Sequence, residues 1–208
     1  MEKILFCAGM PRCATTWLHA QITRHPAIPR LPRKEIHFFL RQYGEVDRLT
    51  EKGRMVQFQT FVKQTRLSAE ADDRGRAEPL AEGGMARAPV DPAGLWGKDG
   101  PLTRRFEQMV GDLNWYLGYL QGPVCEAWYR RLFAGVGPGQ WAVDFSTTNG
   151  LISDEGFARM ARFAPEARVL LILRHPLDRL WSHLKLQRDI QGVAAPVEDW
   201  PPSRLRDF

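Results

Sequence analysis

The sequence predicts an α/β fold in which a parallel sheet is flanked by helices. Three observations carry that expectation. Apolar runs at Ile4–Ala8, Trp141–Phe145 and Arg168–Leu173 read as strands, each followed by a turn and a segment of helical period. Strands that alternate with helices imply parallel pairing, because a parallel connection needs a crossover long enough to hold a helix. The polar clusters of the chain fall just after strand ends, where open parallel sheets bind ligands.

The elements follow in order. Ile4-Leu5-Phe6-Cys7-Ala8 is bounded by Gly9 and Pro11 and reads as a buried strand. Thr15 to Arg24 reads as a helix with Trp17, Leu18 and Ile22 on its apolar side, stopped by His25-Pro26. A basic, Pro-rich link, Pro29 to Arg33, leads to Lys34-Glu35-Ile36-His37-Phe38-Phe39, an apolar segment with three ionisable groups. Leu49 to Leu67 is helical in period, with Met55, Phe58, Phe61 and Val62 on one side. Residues 68–100 are poor in large apolar side chains and read as a flexible insertion within a single domain spanning 1–208. Thr103 is the expected cap of a helix whose apolar stripe is Phe106, Met109, Val110, Leu113, Tyr116, Leu117 and Leu120. Gly122-Pro123 ends it, and Val124 to Ala134 forms a further helix. After the second strand comes Ser146-Thr147-Thr148-Asn149-Gly150, then a helix from Asp154 to Ala164. The third strand is the most apolar run of the chain. It ends at Arg174-His175-Pro176, and a helix from Leu177 to Arg188 places Leu177, Leu180, Trp181 and Leu184 inward.

Composition bounds the function. The chain has 208 residues, 44% of them hydrophobic, and a net charge of +5. That is enough for a real core, and the charge suits an anionic small ligand. The basic residues are dispersed, so a nucleic-acid tail is not predicted. Cys7, Cys13 and Cys125 make no metal spacing and no even disulfide set, which points to a reducing compartment. The first strand opens too close to Met1 for a leader peptide, and no apolar run approaches the ~20 residues of a membrane helix. The expected location is cytoplasmic.

The chemistry sits at two strand ends. Gly9-Met10-Pro11-Arg12-Cys13-Ala14-Thr15-Thr16-Trp17 joins a strand to a helix N-terminus. Backbone N–H groups converge at such a junction, and the helix dipole favours an anion there. Arg12 adds a cation, and Thr15 and Thr16 add hydroxyls. The loop lacks both the G-x-x-x-x-G-K-[ST] spacing of ATPases and the G-x-G-x-x-G of dinucleotide sites. The second cluster is Leu173-Arg174-His175-Pro176-Leu177-Asp178-Arg179-Leu180-Trp181-Ser182. An Arg fork and a hydroxyl at that separation can grip one phosphate.

These motifs resemble the sulfotransferases that use 3′-phosphoadenosine 5′-phosphosulfate (PAPS), in particular the glycosaminoglycan-type and bacterial branch. Gly9 to Thr16 resembles that family's 5′-phosphosulfate loop. Arg174 and Ser182 resemble its 3′-phosphate motif, and Lys34 to Phe39 resembles the segment carrying its base. Asp112 to Tyr116 and Asp144 to Thr147 resemble segments of the same branch less specifically. The resemblance implies a P-loop-like three-layer fold and sulfuryl transfer to a hydroxyl acceptor, carbohydrate among the candidates, with no metal.

It further implies that Arg12, Cys13, Ala14, Thr15, Thr16 and Trp17 bind the 5′-phosphosulfate. Arg174 and Ser182 bind the 3′-phosphate. Arg12 neutralises the leaving phosphate, and Glu35 or His37 serves as general base, with Lys34 a further contact to the sulfuryl group. Structural alternatives stand beside these roles. Glu35 can be a surface partner of Lys34 or Arg33, and His37 can be a packing residue beside Phe38. Trp96, Trp115, Trp128 and Trp141 are stacking candidates for a sugar or core residues.

The sequence departs from the family at Ala14, where Gly is common. It also lacks the basic, Gly-containing closing loop expected after the 3′-phosphate helix, which leaves truncation or a catalytically weak nucleotide-binding relative as the alternative. A P-loop kinase is a third reading.

Overall fold

A computed structural model describes residues 1–43, 49–77, 98 and 100–205. The chain divides into two compact units, Met1–Val46 with Val136–Phe208, and Asp47–Gly135.

The first unit is built on a three-stranded parallel sheet of order β2-β1-β3, with β1 Lys3–Cys7, β2 Ala142–Asp144 and β3 Glu166–Leu170. Ile4 pairs with Ala142 on one side of β1 and with Ala167 on the other. Alternation along β1 sends its side chains to two faces. Cys7 packs with Val143 and Phe145, and Leu18 and Ile22 of α1 (Thr15–Ile22) close over them. Phe6 points the other way and meets Phe39 of α2 (Phe38–Tyr43) edge-on at 5.3 Å and Phe163 at 6.2 Å. The mixed helix-and-sheet architecture is therefore that of an α/β fold, with helices flanking a small parallel sheet.

Expectations about this unit are corrected, first at α1 and at the third strand. Trp17 is 65% exposed and is not on the packed side of α1. Only Leu18 and Ile22 reach the sheet, so the apolar stripe is narrower than the spacing of three residues implied. The most apolar run of the chain is not a buried strand. Strand β3 starts earlier than predicted, and Val169, Leu171 and Leu173 are exposed, Leu173 by 74%. Leu171 and Leu173 lie past the end of the strand, and hydropathy there is not matched by burial among the described residues. Bonds to the β1 side continue past the strand, from Ala8 N–H to Leu170 C=O (2.9 Å) and from Met10 N–H to Ile172 C=O (3.4 Å).

The second unit contains α3 (Glu51–Ala77), α4 (Pro101–Leu120) and α5 (Glu126–Arg131). Helix α3 runs through residues 68–77, which composition alone assigned to the insertion. Ala, Glu, Asp and Arg there are compatible with a helix even without apolar side chains to bury. The rest of the predicted insertion lies outside the described residues, apart from Lys98 and Gly100.

The stripes predicted for α3 and α4 are also revised. Phe58 and Phe61 do meet Tyr116, at 5.5 and 4.5 Å between ring centres, but Met55 and Val62 are exposed. On α4 the inward residues are Asp112, Tyr116 and Tyr119, while Phe106, Met109, Val110, Leu113 and Leu117 are exposed. Aromatic bulk sets the packing face here. Tyr119 stacks on Trp115 at 5.2 Å and lies 5.6 Å from Trp128. Thr103 is not the cap of α4. Gly100 holds that position and Pro101 opens the helix, where its missing N–H costs nothing.

Arg54 is 4% exposed and donates to the carbonyls of Tyr119 and Leu120, each at 2.9 Å, closing the C-terminal end of α4. Among the described residues no helix is long and apolar enough to cross a membrane.

Three helices of the first unit follow the strands. Helix α6 (Asp154–Arg162) is capped by Ser153, whose hydroxyl accepts from the Gly156 N–H. Helix α7 (Pro176–Ile190) follows β3 and carries Ser182. Only Leu184 of its four expected inward residues is buried; Leu177, Leu180 and Trp181 are exposed. A short α8 (Pro202–Leu205) ends the described chain.

Candidate functional site

The loop after β1 is shaped by close backbone approach. A Cβ on Gly9 would stand 2.8 Å from the Ile172 amide nitrogen, and one on Gly150 would stand 2.6 Å from the Ala8 carbonyl oxygen. Both positions exclude a side chain, and they lock the loop between β3 and the 3₁₀ turn Thr147–Leu151. Beyond Gly9 the chain takes left-handed conformations at two residues that carry a Cβ: Arg12, with φ 71°, and Ala14, with φ 57°. The third such residue among those described is His37, with φ 63°. All three belong to the segments singled out in the sequence. Strained backbone held in place by its surroundings is a mark of functional sites.

Ala14 precedes α1 and offers no side-chain cap, so the first-turn N–H groups of the helix have no capping side chain. An open pocket of about 250 Å³ lies there, lined by Arg12, Ala14, Thr15, Thr16, Arg174 and Ser182. Arg12 and Ser182 are joined directly, Nε to Oγ at 3.0 Å, and Arg174 donates to the Arg12 carbonyl at 3.3 Å. Arg179, a residue not singled out in the sequence, donates to the Pro11 carbonyl at 3.3 Å and braces the same loop. Cys13 is buried and Trp17 projects outward; neither lines the pocket.

The Lys34–Phe39 segment reaches the same loop. The Lys34 ammonium lies 3.3 Å from Thr15 Oγ1, 3.1 Å from Thr16 Oγ1 and 3.1 Å from Glu35 Oε1. Glu35 therefore does pair with Lys34, as its structural alternative held, but in a half-buried position beside the pocket. Its other oxygen is 3.4 Å from His37 Nε2, and Thr147 Oγ1 stands 3.5 Å from Oε1. Burial works against ionisation of Glu35, yet hydrogen bonds from His37 and Lys34 and the Lys34 charge outweigh it. They hold the carboxyl down at about 2.

His37 is buried and its Nδ1 is 2.7 Å from Thr148 Oγ1. A proton on Nε2 lets the ring donate to Glu35, while Nδ1 faces the Thr148 hydroxyl, which can either donate or accept. His37 thus orients Glu35 from a buried position.

A brace beneath the site comes from the turn after β2. Ser146 Oγ accepts from the N–H groups of Ile36 (2.9 Å) and His37 (2.8 Å) and donates to the Asp144 carboxylate, which also accepts the Ser146 N–H. Motif reading found this stretch only as a weak resemblance. The available signal was a run of hydroxyl and amide side chains directly after an apolar strand. The candidate stacking residues are structural where described. Trp115 donates to the Leu132 carbonyl, Trp128 is fully buried, and Trp141 lies under the Lys3 ammonium. Trp96 lies outside the described residues.

Among the described residues no three His, Cys, Asp or Glu side chains group to hold a metal. No protein-family model, curated protein or solved structure matches this chain.

Proposed function

We propose that this chain is a sulfotransferase of P-loop-like three-layer type that moves a sulfuryl group from PAPS to a hydroxyl acceptor, carbohydrate among the candidates. One observation carries the reading. Arg12, Thr15 and Thr16 from one end of the chain and Arg174 and Ser182 from the other line one pocket, and Lys34 links that pocket to a carboxylate. The set is rich in cations and hydroxyl donors, which suits two anionic ends of one ligand. The volume of about 250 Å³ is below the ~300–1,000 Å³ typical of small-molecule sites and suits the anionic ends rather than a whole nucleotide.

The donor supplies an activated sulfuryl group, whose transfer to a hydroxyl oxygen releases adenosine 3′,5′-bisphosphate and a proton. The residues account for the rest. Thr15, Thr16 and the unpaired N–H groups of α1 hold the 5′ anion. Arg174 and Ser182 hold the 3′-phosphate and so discriminate against nucleotides that lack it. Glu35 accepts the acceptor's proton, an effect worth roughly 10²–10⁴ in rate. His37 fixes the Glu35 carboxylate.

The test is calorimetric titration with adenosine 3′,5′-bisphosphate against 5′-AMP. Preference for the bisphosphate supports the reading and justifies an acceptor screen; equal, weak binding of both would remove it. A second reading, a nucleotide binder without turnover, is favoured by one observation: Glu35 at about 2 is a feeble base while Lys34 and His37 hold it. Glu35→Ala separates the two, since an enzyme loses turnover and keeps nucleotide affinity. A kinase would instead bind ATP with Mg²⁺.

A further inference from the structure

Among the described residues the sheet of the first unit has one covered edge and one open edge. Strand β2 forms one edge, and Ala142, Val143 and Asp144 are all buried. Strand β3 forms the other, and its bonds show which way its backbone faces. The carbonyls of Leu170 and Ile172 accept from Ala8 and Met10 on the β1 side. Backbone groups alternate along an extended chain, so the N–H and C=O of Val169 and of Leu171 face away from β1. Among the described residues they have no hydrogen-bond partner on that outer side. The same alternation puts the side chains of Val169, Leu171 and Leu173 on one face, where they are 46%, 54% and 74% exposed. Exposed edges are ordinarily blocked by a charge or a proline, yet residues 169–173 read Val-Leu-Leu-Ile-Leu.

We propose that this edge pairs with the same edge of a second copy of the chain, antiparallel about a two-fold axis, to make one continuous sheet across a homodimer. The occupant follows from self-complementarity. The outward groups belong to odd-numbered residues, so the axis passes through an even-numbered one. Centred on Arg168, the pairing sets like charges opposite each other. Centred on Ile172, it sets Arg168 opposite Pro176, where α7 begins. Centred on Leu170, it sets Val169 opposite Leu171 of the second copy, a pair that exchanges N–H···O bonds in both directions. The same register sets Ala167 opposite Leu173, and Glu166 opposite Arg174, so the centre is apolar and the ends are opposite in charge. Pairing uses the open edge of both copies and β2 offers no second one, so assembly closes at two. The proposal does not depend on the sulfotransferase reading.

Sedimentation velocity of the full chain across micromolar concentrations tests this. Wild type is expected to sediment with twice the 23.8 kDa of one chain. Leu171→Lys sets an ammonium into the apolar pairs on both sides of the axis and is expected to raise the dissociation constant by roughly ten- to hundredfold. Disulfide trapping reads the register in a Cys125→Ser background, because Cys125 is exposed whereas Cys7 and Cys13 are buried. Leu170 meets its own copy with Cα atoms about 4.5 Å apart, within disulfide reach, so Leu170→Cys is expected to give a covalent dimer on mild oxidation. Val169 is only a diagonal neighbour of its own copy, at about 7–8 Å, so Val169→Cys is expected to trap far more slowly. A wild type that stays monomeric, a dimer that Leu171→Lys leaves intact, or trapping at Val169→Cys as fast as at Leu170→Cys overturns the proposal. Thermal melting confirms that Leu171→Lys is folded, and Leu171→Glu repeats the measurement if it is not.

Discussion

Glu35 is paired with two groups that favour its ionised form, and its carboxyl is depressed from 4.5 to about 2 in the folded chain. A depressed acid stabilises the fold above its unfolded pKa and loses that contribution as pH falls through the folded value. Stability is therefore expected to decline between about pH 4.5 and pH 2, and Glu35→Gln is expected to flatten that part of the curve in denaturant titrations at stepped pH. Ala14 presents the opposite case, a residue strained by its backbone. A Cβ in the left-handed region costs roughly 1–2 kcal/mol, part of which glycine returns as lost chain entropy. Ala14→Gly is expected to raise stability by up to about 1 kcal/mol, read as an upward shift in melting temperature. Ser146 serves two buried backbone N–H groups and a buried carboxylate. Removing its hydroxyl in Ser146→Ala leaves them without that partner and is expected to cost about 2–4 kcal/mol in urea unfolding.

At the scale of elements, the apolar period of a helix and its packed face are different properties. The stripe Phe106-Met109-Val110-Leu113-Leu117 satisfies helical spacing yet is exposed, because α4 packs through Tyr116, Tyr119 and the adjoining Trp115. Leu113→Lys is accordingly expected to change stability by no more than about 0.5 kcal/mol. Arg54→Met, which strips the carbonyl contacts from the end of the same helix, is expected to cost about 1.5–3 kcal/mol. Chemical denaturation of the two variants side by side checks the contrast. Arg54 also shows why periodicity alone misleads: a charged residue is the most buried position described in the first turn of α3 because the carbonyls it caps lie on another helix.

At the scale of the molecule, every pocket residue belongs to the first unit and the α4 cap belongs to the second. Nucleotide affinity is therefore expected to survive Arg54→Met within about twofold, by calorimetry under conditions where the variant is folded. Phe39 sits at the centre of the first unit's aromatic packing, edge-on to Phe6, Phe38 and Phe163. Its truncation to Ala is expected to cost about 3–5 kcal/mol and to take the pocket with it, because α2 begins directly after His37.

The local features were legible in the chain itself: a strand, a tight loop and a helix start at residues 3–22, and Arg174 just after β3 with Ser182 on the helix that follows. Such features are set by neighbours in the chain, through turn residues, strand and helix period and the geometry of a helix N-terminus. The partnership of those segments was legible only as a resemblance. Tertiary structure decided which residues meet. It sent Arg12 to Ser182, brought Lys34 to the threonine pair, buried Ser146 under the Lys34–Phe39 segment and left the most apolar run exposed. The physical reason is that each of these outcomes depends on backbone direction at left-handed residues and on strand order, and neither is encoded in the hydropathy of the segment concerned.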